Sequence, residues 1–389
     1  MAVLLHIQNP RQKGPPRFAL WTLGFRPFYL LASSFAALSI LLWGLQFSGL
    51  LPYAYLQGPI WHAHEMLFGF ALALLTGFLL TAGQNWSGQP TPKGGWLMAL
   101  AALWLAGRIL VLTPWALAAA LVNSSFPLAA ALALGVPLYR GGNRRNYFFV
   151  GLLALLGLAQ LVVHLNQMGL VRVPAWAGLG LGLDVMLLVL CVMGGRVIPM
   201  FTNNAIAGAA ALRDPRVEKL ALGLVLLLIL ADSLHVQGPA FAVLALLAAL
   251  AHALRLGLWK PWKTVHTPLV WVLHAAYAWI PVHLGLRAMA ELGWVATSLA
   301  HHALTVGAIG GMAMGMMTRT AMGHTGRRLV AGSAELCCYV LVGTAAVVRV
   351  LVPLLAPALL VQAVLAAALL WSAAFGLYTV RYWPLLSRE

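Results

Sequence analysis

The residues best suited to chemistry are histidines placed where apolar segments begin. Trp61-His62-Ala63-His64-Glu65-Met66-Leu67-Phe68-Gly69-Phe70 opens one such segment. His301 and His302 stand together in another, and His274 with Tyr277 in the segment before that. Ionisable groups are costly at membrane depth, so their presence there reads as functional. Imidazoles on separate helices can converge inside a bundle and ligate copper or haem iron.

Spacing refines this reading. His62 and Glu65 are three apart and share a helix face, so the carboxylate can orient an imidazole. His64 points roughly the other way, and both histidines serve one site only if the helix start is irregular. Gly307, Gly311 and Gly315 form a small-residue stripe for close helix packing. His301, His302, Thr305, Met312 and Met316 lie on the other side of that helix. Thioethers with imidazoles suit copper, although adaptable packing is the simpler reading of the methionines by themselves. His274 and Tyr277 share a face, whereas His283 is nine residues on and faces away, so only one of the two histidines serves a given site. Arg196 and Arg319 either pair with haem propionates or snorkel to lipid headgroups. Asp184 is a buried acid that can pair with a histidine or relay protons. His164, His235 and His252 read as helix-end residues, and His6, His266 and His324 as tail or loop residues.

The elements that carry these residues are membrane helices. Of 389 residues, 62% are hydrophobic and 8% charged, against about 45–50% and about 25% in soluble domains. Segments of roughly 20 apolar residues fall near 27–49, 60–82, 95–113, 115–138, 146–168, 175–200, 217–236, 239–258, 268–289, 293–317, 331–352 and 355–381. The fold class is therefore an all-α polytopic membrane bundle of about twelve transmembrane helices. It forms a single integral membrane domain over 1–389, with 1–26 as a basic tail and no cleavable signal peptide. The formal charge of +16 belongs to loops that set topology, which removes nucleic acid as a partner and leaves membrane lipid. Basic residues crowd alternate connections, which puts both termini in the cytoplasm.

LLTAGQNWSG, VIPMFTNNAIAG and MMTRTAMGHTG recur at roughly a four-helix period. They read either as three pseudo-repeats of four helices or as chance likeness. Cys191, Cys337 and Cys338 lie in apolar segments, and no Cys-x-x-Cys-His occurs, so any haem is haem b, held non-covalently. No phosphate-binding loop or nucleophile elbow is present.

HAHEMLFGF at 62–70, GGRVIPMFTNN at 194–204, LHAAYAW at 273–279 and HALTVGAIGGMAMGMMTRTAMGHTGR at 302–327 resemble the NnrS family of bacterial membrane proteins. The resemblance runs along nearly the whole chain. It implies a twelve-helix inner-membrane protein with haem and copper, associated with nitric oxide and denitrification. It also favours His62, His64, His274 and His302 as metal ligands over His301 and His283. Helix count and cofactors resemble haem–copper oxidases and nitric oxide reductases at the level of fold alone. Their copper-site histidine followed by a histidine pair on the next helix is missing, since the sixth segment has no histidine and the seventh only His235. The expectation is a protein that binds or detoxifies nitric oxide. A reductase-like oxidoreductase with an unidentified electron donor is the first alternative, and a metal or small-solute transporter the second. Glu65, Tyr277 and Asp184, with Glu335, are the few buried proton carriers.

Overall fold

The computed structural model describes residues 18–50 and 55–388. The basic tail and His6 fall wholly or largely outside them. The described chain is all-helical: α1 Phe25–Phe47, α2 Gly58–Ser87, α3 Gly95–Leu110, α4 Ala116–Arg140, α5 Phe148–Gln167 and α6 Ala175–Ala205 form the first half. In the second half are α7 Pro215–Ser233, α8 Pro239–Leu258, α9 Pro268–Glu291, α10 at 297–324, α11 Ser333–Leu355 and α12 Leu360–Ser387. These twelve rods follow the twelve apolar segments closely. Among the described residues nine helices are long and apolar enough to cross a membrane. The other three are α3, at 16 residues, α7, whose 19 residues include Arg216, Glu218, Lys219 and Asp232, and α10, which changes its winding part-way.

Local chemistry sets the helix ends. Proline opens α7 and α8 near N1, where a missing N–H costs nothing. The Asp214 carboxylate accepts from the N–H groups of Arg216 (2.8 Å) and Val217 (3.1 Å), capping α7. These two bonds hold its carboxyl below the usual range. Gly88 ends α2 at φ 66°, a conformation that suits glycine.

The bundle closes on itself. The Trp371 indole and Ser372 hydroxyl of α12 donate to the Ala36 and Ala37 carbonyls of α1, and Arg26 donates to the Leu386 carbonyl. The glycine stripe packs as its spacing predicts. A Cβ at Gly311 would lie 2.8 Å from Ala276 Cβ, and one at Gly315 2.7 Å from Leu273 Cδ2, so α9 and α10 touch almost backbone to backbone. Met312 and Met316 face the other way. With Met186 and Met193 they line an apolar cavity of about 80 Å³ between α1, α2, α6 and α10.

Two helices depart from α geometry. Glu65–Ala71 in α2 and Ala303–Gly310 in α10 wind as π-helix. Each stretch starts directly after a histidine-bearing turn, His62–His64 in one helix and His301–His302 in the other. Wide turns of this kind are frequent at functional sites. A hydrophobic pattern gives no sign of them.

Candidate metal centre

The first turns of α2 and α10 bring His62 and His302 together. Their ring planes are 9° from parallel and the centroids 6.3 Å apart. Trp43 of α1 stacks on His62, with centroids 4.9 Å apart and planes 20° from parallel. The His302 Nδ1–H donates to the Ser298 carbonyl (2.6 Å), which leaves its Nε2 with a lone pair. Nδ1 of His62 is buried and has no hydrogen-bond partner among the described residues. Metal–nitrogen bonds of about 2.0–2.1 Å put two imidazoles on one ion at most roughly 6.4 Å apart, centroid to centroid. The observed separation lies just inside that reach. A carbonyl holding one ring nitrogen while the other stays bare is the arrangement metal-bound histidine favours.

His64 does not join that pair. It faces α3, α4 and α5, where it enters a buried polar network. Its Nδ1 donates to Glu65 Oε1 (2.7 Å), and Arg108 Nη1 donates to the same oxygen (2.6 Å). Glu65 therefore orients His64, and not His62 as the three-residue spacing suggested. Arg108 Nη2 also bonds Asn123 Oδ1, and Asn123 Nδ2 reaches the Ala119 and Gly107 carbonyls at 2.8 and 3.2 Å. Gln160 Nε2 lies 3.2 Å from both His64 Nε2 and Asn123 Oδ1. His164, on the same face of α5, sits with its ring 4.8 Å from the His64 ring at 76°. Tyr55 closes the network from just before α2, and burial pushes its phenol up to about 12, so it stays neutral at physiological pH. A Cβ on Gly69 would lie 2.5 Å from Phe35 Cε1 and 2.9 Å from Arg108 Nη1, so this close approach suits glycine. Its carbonyl, inside the π stretch, accepts from the Trp104 indole at 2.9 Å.

His274 lies in the other half of the bundle, buried against α6, with Nε2 2.8 Å from Thr202 Oγ1. The Thr202 hydroxyl also bonds the Ile198 carbonyl. Nδ1 of His274 has no partner among the described residues. The Arg319 guanidinium stands 3.9 Å over the Phe201 ring, with no carboxylate partner among the described residues. An imidazole with a free nitrogen and an unpaired cation, both beside α6, are donors that suit haem iron and a haem propionate.

The remaining candidates are tied elsewhere. Tyr277 belongs to a closed cluster. Its hydroxyl meets Arg255 Nη1 (2.7 Å) and His252 Nδ1 (2.6 Å), while Arg255 makes a two-pronged bond to Glu218, 2.6 Å on each prong. Asp184 shares Arg287 with Asp232, at 3.5 and 2.7 Å. Arg196 donates to Asn146 Oδ1 (2.7 Å) and lies over Phe148 and Phe149. His283 donates from Nδ1 to the Ala300 carbonyl (2.7 Å). His301 is half-buried, and its carbonyl accepts from Thr305. Among the described residues no three His, Cys, Asp or Glu side chains form a ligand cluster. The sequence pattern placed His164 and His252 at helix ends and did not single out Arg108, Asn123 and Gln160. Their signal was polarity inside apolar segments, which marks function or a buried network.

The family model described as NnrS protein matches residues 19–389. No curated protein matches the chain.

Proposed function

Since the chain belongs to the NnrS family, we propose that it is a haem–copper protein of the bacterial inner membrane that binds nitric oxide or a related small nitrogen species. In this reading all twelve helices span and both termini are cytoplasmic. One observation carries the metal part: two half-buried imidazoles from distant helices lie together, each just before a π-helical stretch. His62 and His302 would hold copper, and His274 haem b, with Arg319 beside a propionate. When bound, such metals supply an open coordination position for a small neutral ligand.

The chain's own residues do the rest. The Ser298 carbonyl fixes the His302 ring, and Trp43 screens His62. Nitric oxide is small, uncharged and lipid-soluble, so it needs no polar entrance. The methionine-lined cavity begins about two turns along α2 and α10 from the histidine pair. The acids favour binding or protection over reduction. Glu65 is held by Arg108, Asp184 by Arg287, and Glu335 by the Tyr382 hydroxyl at 3.0 Å. Few free carriers remain to deliver protons for turnover.

The test adds nitric oxide anaerobically to reduced protein while following the haem spectrum and nitrous oxide together. The expected outcome is a spectral shift without catalytic nitrous oxide, with copper lost from folded His302→Ala. Sustained nitrous oxide production would move the reading to a reductase. Protein from metal-replete cells that carries neither iron nor copper would end it.

A further inference from the structure

The hydrogen bonds around His64 leave two buried acceptors without a donor, His164 Nε2 and Gln160 Oε1, next to His64 Nε2, which Gln160 alone serves. Glu65 Oε1 accepts from Arg108 and from His64 Nδ1, so His64 carries its proton on Nδ1 and a lone pair on Nε2. The Tyr55 hydroxyl donates its one hydrogen to the His164 carbonyl (3.2 Å). Its oxygen then accepts from His164 Nδ1 (3.2 Å), which puts the second imidazole in the same tautomer. His164 Nε2 is fully buried and has no partner among the described residues. Gln160, one turn before His164, spends its amide hydrogens on His64 Nε2 and Asn123, and its Oε1 is also buried without a partner among the described residues.

We infer that His64 Nε2, His164 Nε2 and Gln160 Oε1 form a transition-metal site of their own, on the face of α2 turned away from His62. The spacing suits one ion. Rings 4.8 Å apart at 76° fit two imidazoles on an ion at a bent angle, with bonds of about 2.0–2.1 Å. Rotating the Gln160 amide by half a turn gives up its bond to Asn123 Oδ1 and places Oε1 where Nε2 now lies, 3.2 Å from His64 Nε2. Two ligands on one tetrahedral ion lie roughly 3.4 Å apart at such bond lengths. Both imidazoles have their distal N–H held by oxygen, as metal-bound histidines do. Charge selects the ion. Glu65 and Arg108 cancel, so a divalent cation would leave two uncompensated charges at a buried site, and cuprous copper leaves one. Imidazole suits copper. The site rests neither on the nitric oxide reading nor on the His62–His302 pair.

The test titrates copper(I) into metal-stripped full-length protein in nanodiscs, against a competing cuprous chelator. His164→Ala should bind one equivalent fewer than wild type. His64→Ala should lose the same equivalent, and the double variant no more. His62→Ala should lose a different one. Tyr55→Phe keeps every ligand but removes the oxygen that holds His164 Nδ1. It should weaken one copper equivalent about 10–100-fold and leave the other unchanged, and it decides the matter if the alanine variants do not fold. Full stoichiometry in His164→Ala, unaltered affinities in Tyr55→Phe, or zinc binding at these residues in place of copper would overturn the proposal.

Discussion

Around Arg255 the hydrogen bonds close. Its guanidinium reaches both oxygens of Glu218, the Cys191 carbonyl (2.8 Å) and the Tyr277 hydroxyl, and that hydroxyl in turn meets His252. Trp259 packs close by, its ring 4.5 Å from that of Tyr277 and tilted by 59°, and its indole N–H is the one group there without a partner among the described residues. Around His62, His164 and Gln160 they do not close. His62 Nδ1, His164 Nε2 and Gln160 Oε1 are all buried and without partners among the described residues. Both regions bury charge and imidazole among apolar helices, and both draw on four or more of them. A satisfied buried network fixes the geometry of a fold, whereas an unsatisfied lone pair costs stability and persists where a ligand repays it. The first region therefore reads as scaffold and the second as a place for ligands.

The largest effect should come from opening the closed cluster. Glu218→Ala leaves the Arg255 charge buried without its acid, which costs about 3–5 kcal/mol. A thermal or denaturant midpoint of the purified protein should fall accordingly, while the copper content of the protein that remains folded should not change. Loss of copper at unaltered stability would make this cluster part of the metal chemistry and erase the distinction.

This contrast also marks how far the sequence could be read. All twelve helices were visible, because each is a run of apolar residues bounded by charge, proline or glycine. That His274 and Tyr277 share one side of α9 followed from helical period, whereas the meeting of that side with α6 is tertiary. The glycines of GGRVIPM stood out only through family resemblance, and their physical reason is tertiary. A Cβ on Gly194 would lie 2.9 Å from the Tyr277 ring, and one on Gly195 would collide with the Arg255 guanidinium. His62 and His302 are 240 positions apart, so no local pattern could pair them. His164 looked like a helix-end histidine because its partners Tyr55 and His64 come from other segments. The π-helical stretches keep the same apolar composition as their neighbours and left no trace in the pattern.

A smaller change tests the closed cluster without removing its charge pair. Tyr277→Phe deletes only the hydroxyl between His252 Nδ1 and Arg255 Nη1. Arg255 keeps Glu218 and the Cys191 carbonyl, so the cost falls mainly on a buried imidazole nitrogen, about 1–3 kcal/mol. Stability should drop by less than in Glu218→Ala, with metal content and any nitric oxide response intact. A proton-relay role for Tyr277 predicts the reverse: normal stability with an altered pH profile of the haem response.

The smallest effect should come from the link between scaffold and site. The Trp104 indole holds the Gly69 carbonyl inside the π stretch that follows His62 and His64. Trp104→Phe keeps an aromatic ring against Phe35, whose ring now meets it edge-on at 5.5 Å, and removes one neutral hydrogen bond, about 0.5–1.5 kcal/mol. The overall midpoint should hardly move. The wide turn, however, sets how α2 presents His62 to one side and His64 to the other, and a carbonyl released there can let the turn relax toward α geometry. A groups-in-place shell typically governs metal affinity by about 10–100-fold, and Trp104 acts one step outside it. Copper affinity in this variant should therefore fall by about tenfold or less, at near-normal stability, which is the opposite signature to Glu218→Ala. Unchanged affinity would mean that helix packing alone holds the π turn and that Trp104 belongs with the scaffold.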